Sequence, residues 1–211
     1  MAEIIKKRTC YPLWEAHDEE RDLNIASKNG LQLIEGKAFS WILEKNDTVR
    51  YTYQIDYNPK ANNDPRYKEI FAEMGWEYIS STFNGWHYFK KPYQEGQQHP
   101  NGDVVKSERI YTDEESFNEM ENRWQKLGTV LTTMTFILWL LYTALAITGT
   151  TEFIPMAIGF FLLELSTSSS IKNYKSKAEN PNYVPKIQIS FRIAIQFFIV
   201  FALLTLLLIL L

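Results

Sequence analysis

The stretch TVLTTMTFILWLLYTALAIT, Thr129 to Thr148, carries no charged side chain along its whole length. Coiled as a helix, about twenty such residues match the hydrocarbon thickness of a bilayer. A buried helix of a water-soluble protein normally regains polar residues on one face before that length is reached. The stretch therefore reads as a membrane span, and it divides the chain into a polar front and an apolar back.

The charges follow the same division. Met1 to Lys126 holds 17 Lys and Arg against 22 Asp and Glu, a balance of -5, whereas Leu127 to Leu211 holds 5 against 3, or +2. The mean hydropathy of -0.25 averages over these two unlike halves. An acidic front speaks against direct nucleic-acid binding, since phosphate contacts need a basic surface. The lone Cys10 excludes an internal disulfide and a cysteine-based zinc site. MAEIIKKR has no apolar run behind it, so no cleavable signal peptide is expected and the front half is expected to stay in the cytoplasm.

Two further apolar segments follow the first. Ile193 to Leu211 is an equally good span, while Phe153 to Leu165 is short, contains Glu164 and runs into Ser166-Thr-Ser-Ser-Ser170. Lys172, Lys175, Lys177, Lys186 and Arg192 lie between these two segments, and the Thr148–Phe153 connection has no basic residue. The positive-inside rule is met when the middle segment spans. The expectation is a multi-pass protein with spans at about 128–148, 153–171 and 193–211 and its C-terminus outside.

The front half suggests a repeat. Gly30-Leu-Gln-Leu-Ile34 precedes Trp41-Ile-Leu-Glu-Lys45, and Gly75-Trp-Glu-Tyr-Ile79 precedes Trp86-His-Tyr-Phe-Lys90, with Gly, Ile, Trp and Lys at one constant offset. In the second unit Asp64-Pro65 caps a helix, Tyr67, Ile70, Phe71 and Met74 form its apolar stripe, and Gly75 ends it. Asn84-Gly85 then reads as a hairpin turn. Glu15 to Lys28 is the corresponding first helix. Extended pieces at Ile5–Tyr11 and Val49–Tyr57 precede the helices, the latter with Tyr51, Tyr53, Ile55 and Tyr57 on one side. The order is βαββ twice, an α+β fold with a mainly antiparallel sheet, related to ferredoxin-like layouts.

Gly30 to Lys45, YTYQIDY at Tyr51–Tyr57 and MGWEYISSTFNGWHYFKKP at Met74–Pro92 resemble the DUF2812 domain of Gram-positive bacteria. The resemblance covers roughly the first 92 residues and implies membrane helices behind the domain and a PadR-type transcriptional regulator encoded nearby. It supplies no catalytic residues. The expected division is a domain over 1–92, a linker and stalk helix over 93–127, and a membrane region over 128–211. In the linker, Thr112-Asp-Glu-Glu115 forms a capping box, with Phe117, Met120, Trp124 and Leu127 striping the helix behind it.

Few residues suggest chemistry. Glu164 at membrane depth needs a partner, and Arg192 or Gln196 at the start of the last helix is within reach; the bland account is an interhelical fastener. His17, His87 and His99 are too scattered to bind metal, and His87 is expected to be exposed. No nucleophile elbow, P-loop, dinucleotide or zinc-protease motif appears, so neither an enzyme nor a cofactor is expected. Tyr53, Trp76, Trp86 and Tyr88 are candidates for a partner-binding patch, although most strand aromatics pack inward. The expected function is a membrane-anchored regulatory or sensor protein that binds a partner such as a PadR-type regulator, its helices sensing the envelope or an apolar small molecule. The alternative is a transport accessory or exporter subunit in which Glu164 lines a pathway.

Overall fold

The computed structural model describes residues 3–61, 64, 66–111, 114–179 and 190–210. The chain divides into two compact units, Met1–Trp124 and Gln125–Leu211.

The first unit is α+β. In chain order it contains β1 (Ile4–Arg8), α1 (Ala16–Lys28), β2 (Leu31–Lys37), β3 (Ser40–Lys45), β4 (Tyr51–Tyr57), α2 (Tyr67–Glu73), β5 (Glu77–Ser81) and β6 (Trp86–Pro92). The strands form two three-stranded antiparallel sheets, ordered β1-β3-β2 and β4-β6-β5. Element order and strand order are thus the same in both halves. Both helices stop as expected: Gly30 and Gly75 take φ of +75° and +80°, where a Cβ would clash with the backbone.

The two halves correspond closely, with one slip. Ile34 in β2 and Ile79 in β5 are each passed over by the ladder, so each strand is bulged at the same place, 45 residues apart. Gly36 faces Trp41 across the first hairpin and Ser81 faces His87 across the second. The structural counterpart of Trp41 is therefore His87, not Trp86. Its cause lies in the turns: Ala38-Phe39 joins Lys37 to Ser40, whereas Phe83-Asn84-Gly85 joins Thr82 to Trp86, whose backbone groups bond at 2.8 Å. One extra residue turns every following side chain to the opposite face.

Burial corrects several expectations. His87 is 2% exposed, because both faces of β6 are covered and Tyr67 of α2 lies over the face that His87 takes, ring centroids 5.0 Å apart. Of the α2 stripe, Tyr67 and Phe71 are buried beneath Phe89, while Ile70 and Met74 are exposed. Asp64 accepts from the Arg66 N–H at 3.0 Å, one turn ahead of α2, and Pro65 lies outside the described residues. The folded unit also continues past Pro92. Gln97, Val104 and Ile110 are buried, and Gln97 accepts a hydrogen bond from the Thr52 hydroxyl at 3.0 Å.

Helix α1 packs in a way that hydropathy conceals. β4 is hydrogen-bonded to β6 alone, and its free edge is met by side chains of α1. The Ser27 hydroxyl accepts from Tyr51 N, Asn24 Oδ1 from Tyr53 N, and Glu20 Oε1 from Ile55 N, at 2.8, 2.7 and 2.9 Å. Positions 20, 24 and 27 share one helix face, and alternate residues of a strand point their N–H groups to one side. A polar stripe, which pattern alone assigns to solvent, thus replaces a missing strand.

The second unit contains most of α3 (Glu114–Ile147), together with α4 (Ile154–Glu179) and α5 (Phe191–Leu210). Three helical segments, Asn118–Ile147, Thr151–Tyr174 and Phe191–Leu210, are long and apolar enough to cross a membrane. Their burial is inverted relative to a water-soluble bundle. Ala157, Ser166, Thr167, Ser170, Ala194 and Thr205 are buried, while many of the Leu, Ile, Val and Phe side chains are exposed. Small and hydroxyl residues let helices approach in lipid, where apolar side chains gain nothing by hiding. The serine run does not interrupt α4, because hydroxyls bond back to the preceding turn: Thr167 and Ser169 donate to the carbonyls of Leu163 and Ser166.

Candidate functional site: a groove between two strands and two buried carboxylate clusters

Strands β2 and β5 meet at one point, where Gly36 N donates to Ser80 Oγ at 2.8 Å and Ser80 Oγ donates to Gly36 O at 3.2 Å. Gly36 has to be glycine for this approach, since a Cβ there would lie 2.5–2.6 Å from the Tyr88 ring. Beyond that point a groove of about 330 Å³ opens, lined by Gln32, Leu33 and Ile34 from one half and by Glu77, Tyr78 and Ile79 from the other. These are the same three positions of each half. Tyr53 supports the groove from below, accepting from Leu33 N at 2.9 Å and donating to Gln32 at 3.3 Å.

The groove has an acidic and aromatic character. Its charged lining residues are Glu44, Glu77 and Lys90. Lys90 Nζ lies 3.3 Å from the Glu77 carboxylate and 4.6 Å above the Tyr51 ring.

A second cluster surrounds Glu19 on α1. One carboxylate oxygen accepts from Trp41 Nε1 at 2.8 Å and from the Tyr88 hydroxyl at 2.7 Å. Tyr11 stacks on Trp41 at 5.7 Å, and its hydroxyl donates to Asp22 at 2.6 Å. Burial pushes the Glu19 carboxyl up to about 7; the two donors oppose that shift, and Glu20 and Asp22 add to it. A carboxyl that holds its proton longer when folded stabilises the fold at low pH, and that stabilisation disappears as pH rises through the folded value. The unit should lose stability between about pH 4.5 and pH 7, by at most about 3 kcal/mol. In Glu19→Gln this part of a stability-against-pH curve, followed by thermal unfolding, should flatten; an unchanged slope would disprove the assignment.

A third cluster is centred on Asp56, 1% exposed on β4. It accepts from the Tyr67 hydroxyl of α2 at 2.5 Å and from the Tyr111 hydroxyl of the segment leading to α3. Beside it, His87 Nε2 is 2.9 Å from the Asn58 carbonyl, which assigns the ring proton to Nε2, while its buried Nδ1 has no partner. Burial holds the imidazole below its usual range, so it is neutral near pH 7. The same segment is fastened twice more: Ile110 N donates to Gln54 Oε1 at 2.5 Å, and Lys91 pairs with Glu108 at 2.8 Å.

The residues singled out from sequence fall as follows. Tyr53, Trp76, Trp86 and Tyr88 are 1, 3, 9 and 2% exposed, so they are core residues and do not form a surface patch. Strand aromatics here serve packing and hydroxyl anchoring. The Glu164 carboxylate accepts from Thr135 of α3 at 2.7 Å and from Ser168 of α4 at 2.9 Å. Glu19 and Asp56 were missed because nothing in a local pattern distinguishes a buried carboxylate from a solvated one. Among the described residues no group of three or more His, Cys, Asp or Glu is placed to hold a metal.

An α+β domain continued by three helices long and apolar enough to span a bilayer defines the class, a multi-pass membrane protein with a sizeable polar domain. The profile of a family described as protein of unknown function, DUF2812, matches residues 15–134, more than half of the 211. The chain belongs to this family. Neither the curated proteins nor the solved structures provide a match.

Proposed function

We propose that this is a membrane-anchored regulatory or sensor protein, not an enzyme, whose first unit lies in the cytoplasm and binds a protein partner. The supporting observation is α3, which begins in the first unit, has Met120 and Trp124 buried, and runs on to Ile147 through a stretch that is charge-free from Thr129. The cytoplasmic placement rests on the lysines between the last two spans. A PadR-type regulator, implied by the family resemblance, is the first partner to test, with sequestration at the membrane as the mechanism. The two halves are further taken as copies of one βαββ unit related to ferredoxin-like folds. Matching strand order, the Ile34 and Ile79 bulges and the Gly30 and Gly75 caps support the duplication, and the longer second turn is then an insertion.

The test is cross-linking in intact membranes followed by capture of the tagged full chain. Enrichment of a PadR-type regulator is expected; its absence, or digestion of the first unit by protease added outside cells, sinks the proposal. The rival reading, a transport accessory, draws on the Glu164 carboxylate held between Thr135 and Ser168. It requires Glu164→Gln to abolish an efflux phenotype that deletion of the first unit spares, and the reverse pattern returns the case to partner binding.

A further inference from the structure

The groove between β2 and β5 contains the beginnings of a recognition site that the partner-binding proposal does not use. Its two carboxylates are in different states. Glu77 is paired with Lys90, whereas Glu44 forms no ion pair among the described residues. Glu44 is only partly exposed, so water screens it less than a free surface charge.

Lys90 shows how the groove treats a cation. Its side chain is 20% exposed, and its ammonium rests over the Tyr51 ring while facing Glu77. The face of an aromatic ring attracts a cation, and a carboxylate at the rim adds a charge-assisted hydrogen bond. The two bulge residues, Ile34 and Ile79, both line the same space. A guest with one positive end and an apolar stem therefore finds a counter-ion, a ring and a greasy wall together. The volume is at the small end of ligand pockets, enough for a single such group.

We propose that the groove between β2 and β5 binds an organic cation, an ammonium or guanidinium on an apolar stem, with Glu44 as its counter-ion and Tyr51, Ile34 and Ile79 as its walls. Lys90 occupies part of the site in the unliganded protein and competes with the guest for Tyr51 and Glu77. The site stands on the groove alone, so failure to capture a regulator leaves it standing, and failure of the site leaves regulator capture to be judged separately.

The experiment titrates the purified full chain in detergent with N-acetylarginine amide, with N-acetylcitrulline amide as its neutral isostere, read by calorimetry. Saturable, salt-sensitive binding in the millimolar range or tighter is expected, with the citrulline probe weaker by about tenfold. Glu44→Gln should weaken binding by about fivefold, and Lys90→Met should strengthen it by a similar factor. Thermal unfolding establishes that each variant is folded, and Glu77→Gln supplies a second carboxylate variant should Glu44→Gln fail that check. Two further probes separate the sources of the cation. Tighter binding of phenethylamine assigns a free small amine, and tighter binding of a capped Gly-Gly-Arg-Gly-Gly peptide assigns a side chain of another protein. Equal binding of the arginine and citrulline probes, no saturable binding of any probe, or wild-type binding by a folded carboxylate variant overturns the site.

Discussion

Asp56→Ala should destabilise the first unit by about 3 kcal/mol, because it leaves two phenol hydroxyls in an apolar interior without their acceptor. Tyr67 and Phe71 of α2 belong to a buried apolar cluster with Trp76, Phe89 and Ile110, and Tyr111 packs against it, so the lost acceptor affects both elements. Tyr111→Phe, which removes one donor and leaves the carboxylate with Tyr67, should cost about 1 kcal/mol. Near-UV circular dichroism of the full chain in detergent, followed during thermal unfolding, measures both. Amide exchange adds a site-specific check. The Ile110 N–H, which donates to Gln54, should exchange faster in Asp56→Ala, since the segment from Lys106 to Tyr111 loses its strongest anchor. Unchanged protection there would show that Lys91–Glu108 and Gln54 suffice to hold it.

Trp41→Ala carries the second large effect, about 4 kcal/mol. Trp41 is 0% exposed, stacks on Tyr11, supports Lys7 Nζ at 5.1 Å and donates its indole N–H to Glu19. Truncation opens a cavity at the meeting of β3 and α1 and removes one of the two donors that keep the Glu19 carboxyl from rising further. Trp41→Phe keeps most of the packing and loses the N–H, so it should cost about 1–2 kcal/mol and move the Glu19 titration upward. A Phe variant with an unaltered pH profile would mean that Tyr88 alone governs that carboxyl.

What could be read in advance depended on whether a residue's neighbours were near in sequence. The three long apolar helices, the order of strands and helices and the glycine stops at Gly30 and Gly75 are local, set by runs, periods and backbone freedom, and they appear as expected. The fate of polar residues depends on distant partners. Asn24 and Ser27 look like a solvated helix face, yet they are 1 and 2% exposed because β4 needs hydrogen-bond partners on its open side. His87 points away from Trp86 and Tyr88, as strand alternation demands, but the face it takes is covered by Tyr67 of α2, a partner that no local pattern reveals. The polar run after Pro92 resembles a tether, and its glutamines are instead spent on Thr52 and Asn24. Glu164 stands out in the sequence because a carboxylate within an apolar run is conspicuous without context, whereas its hydroxyl partners, Thr135 of α3 and Ser168 of α4, depend on how the helices pack.

The two outer strands of the sheets are defended differently. On one side β1 reads Lys6-Lys7-Arg8, and on the other Glu20, Asn24 and Ser27 occupy the main-chain groups of β4. Proteins tethered to one membrane meet again and again in a plane, at effective concentrations far above those of the same number of molecules in the cytosol. An unguarded strand would there join to its neighbour's and nucleate ribbons of copies. Charge on one flank and a helix clasp on the other let the molecules crowd a surface without zipping together.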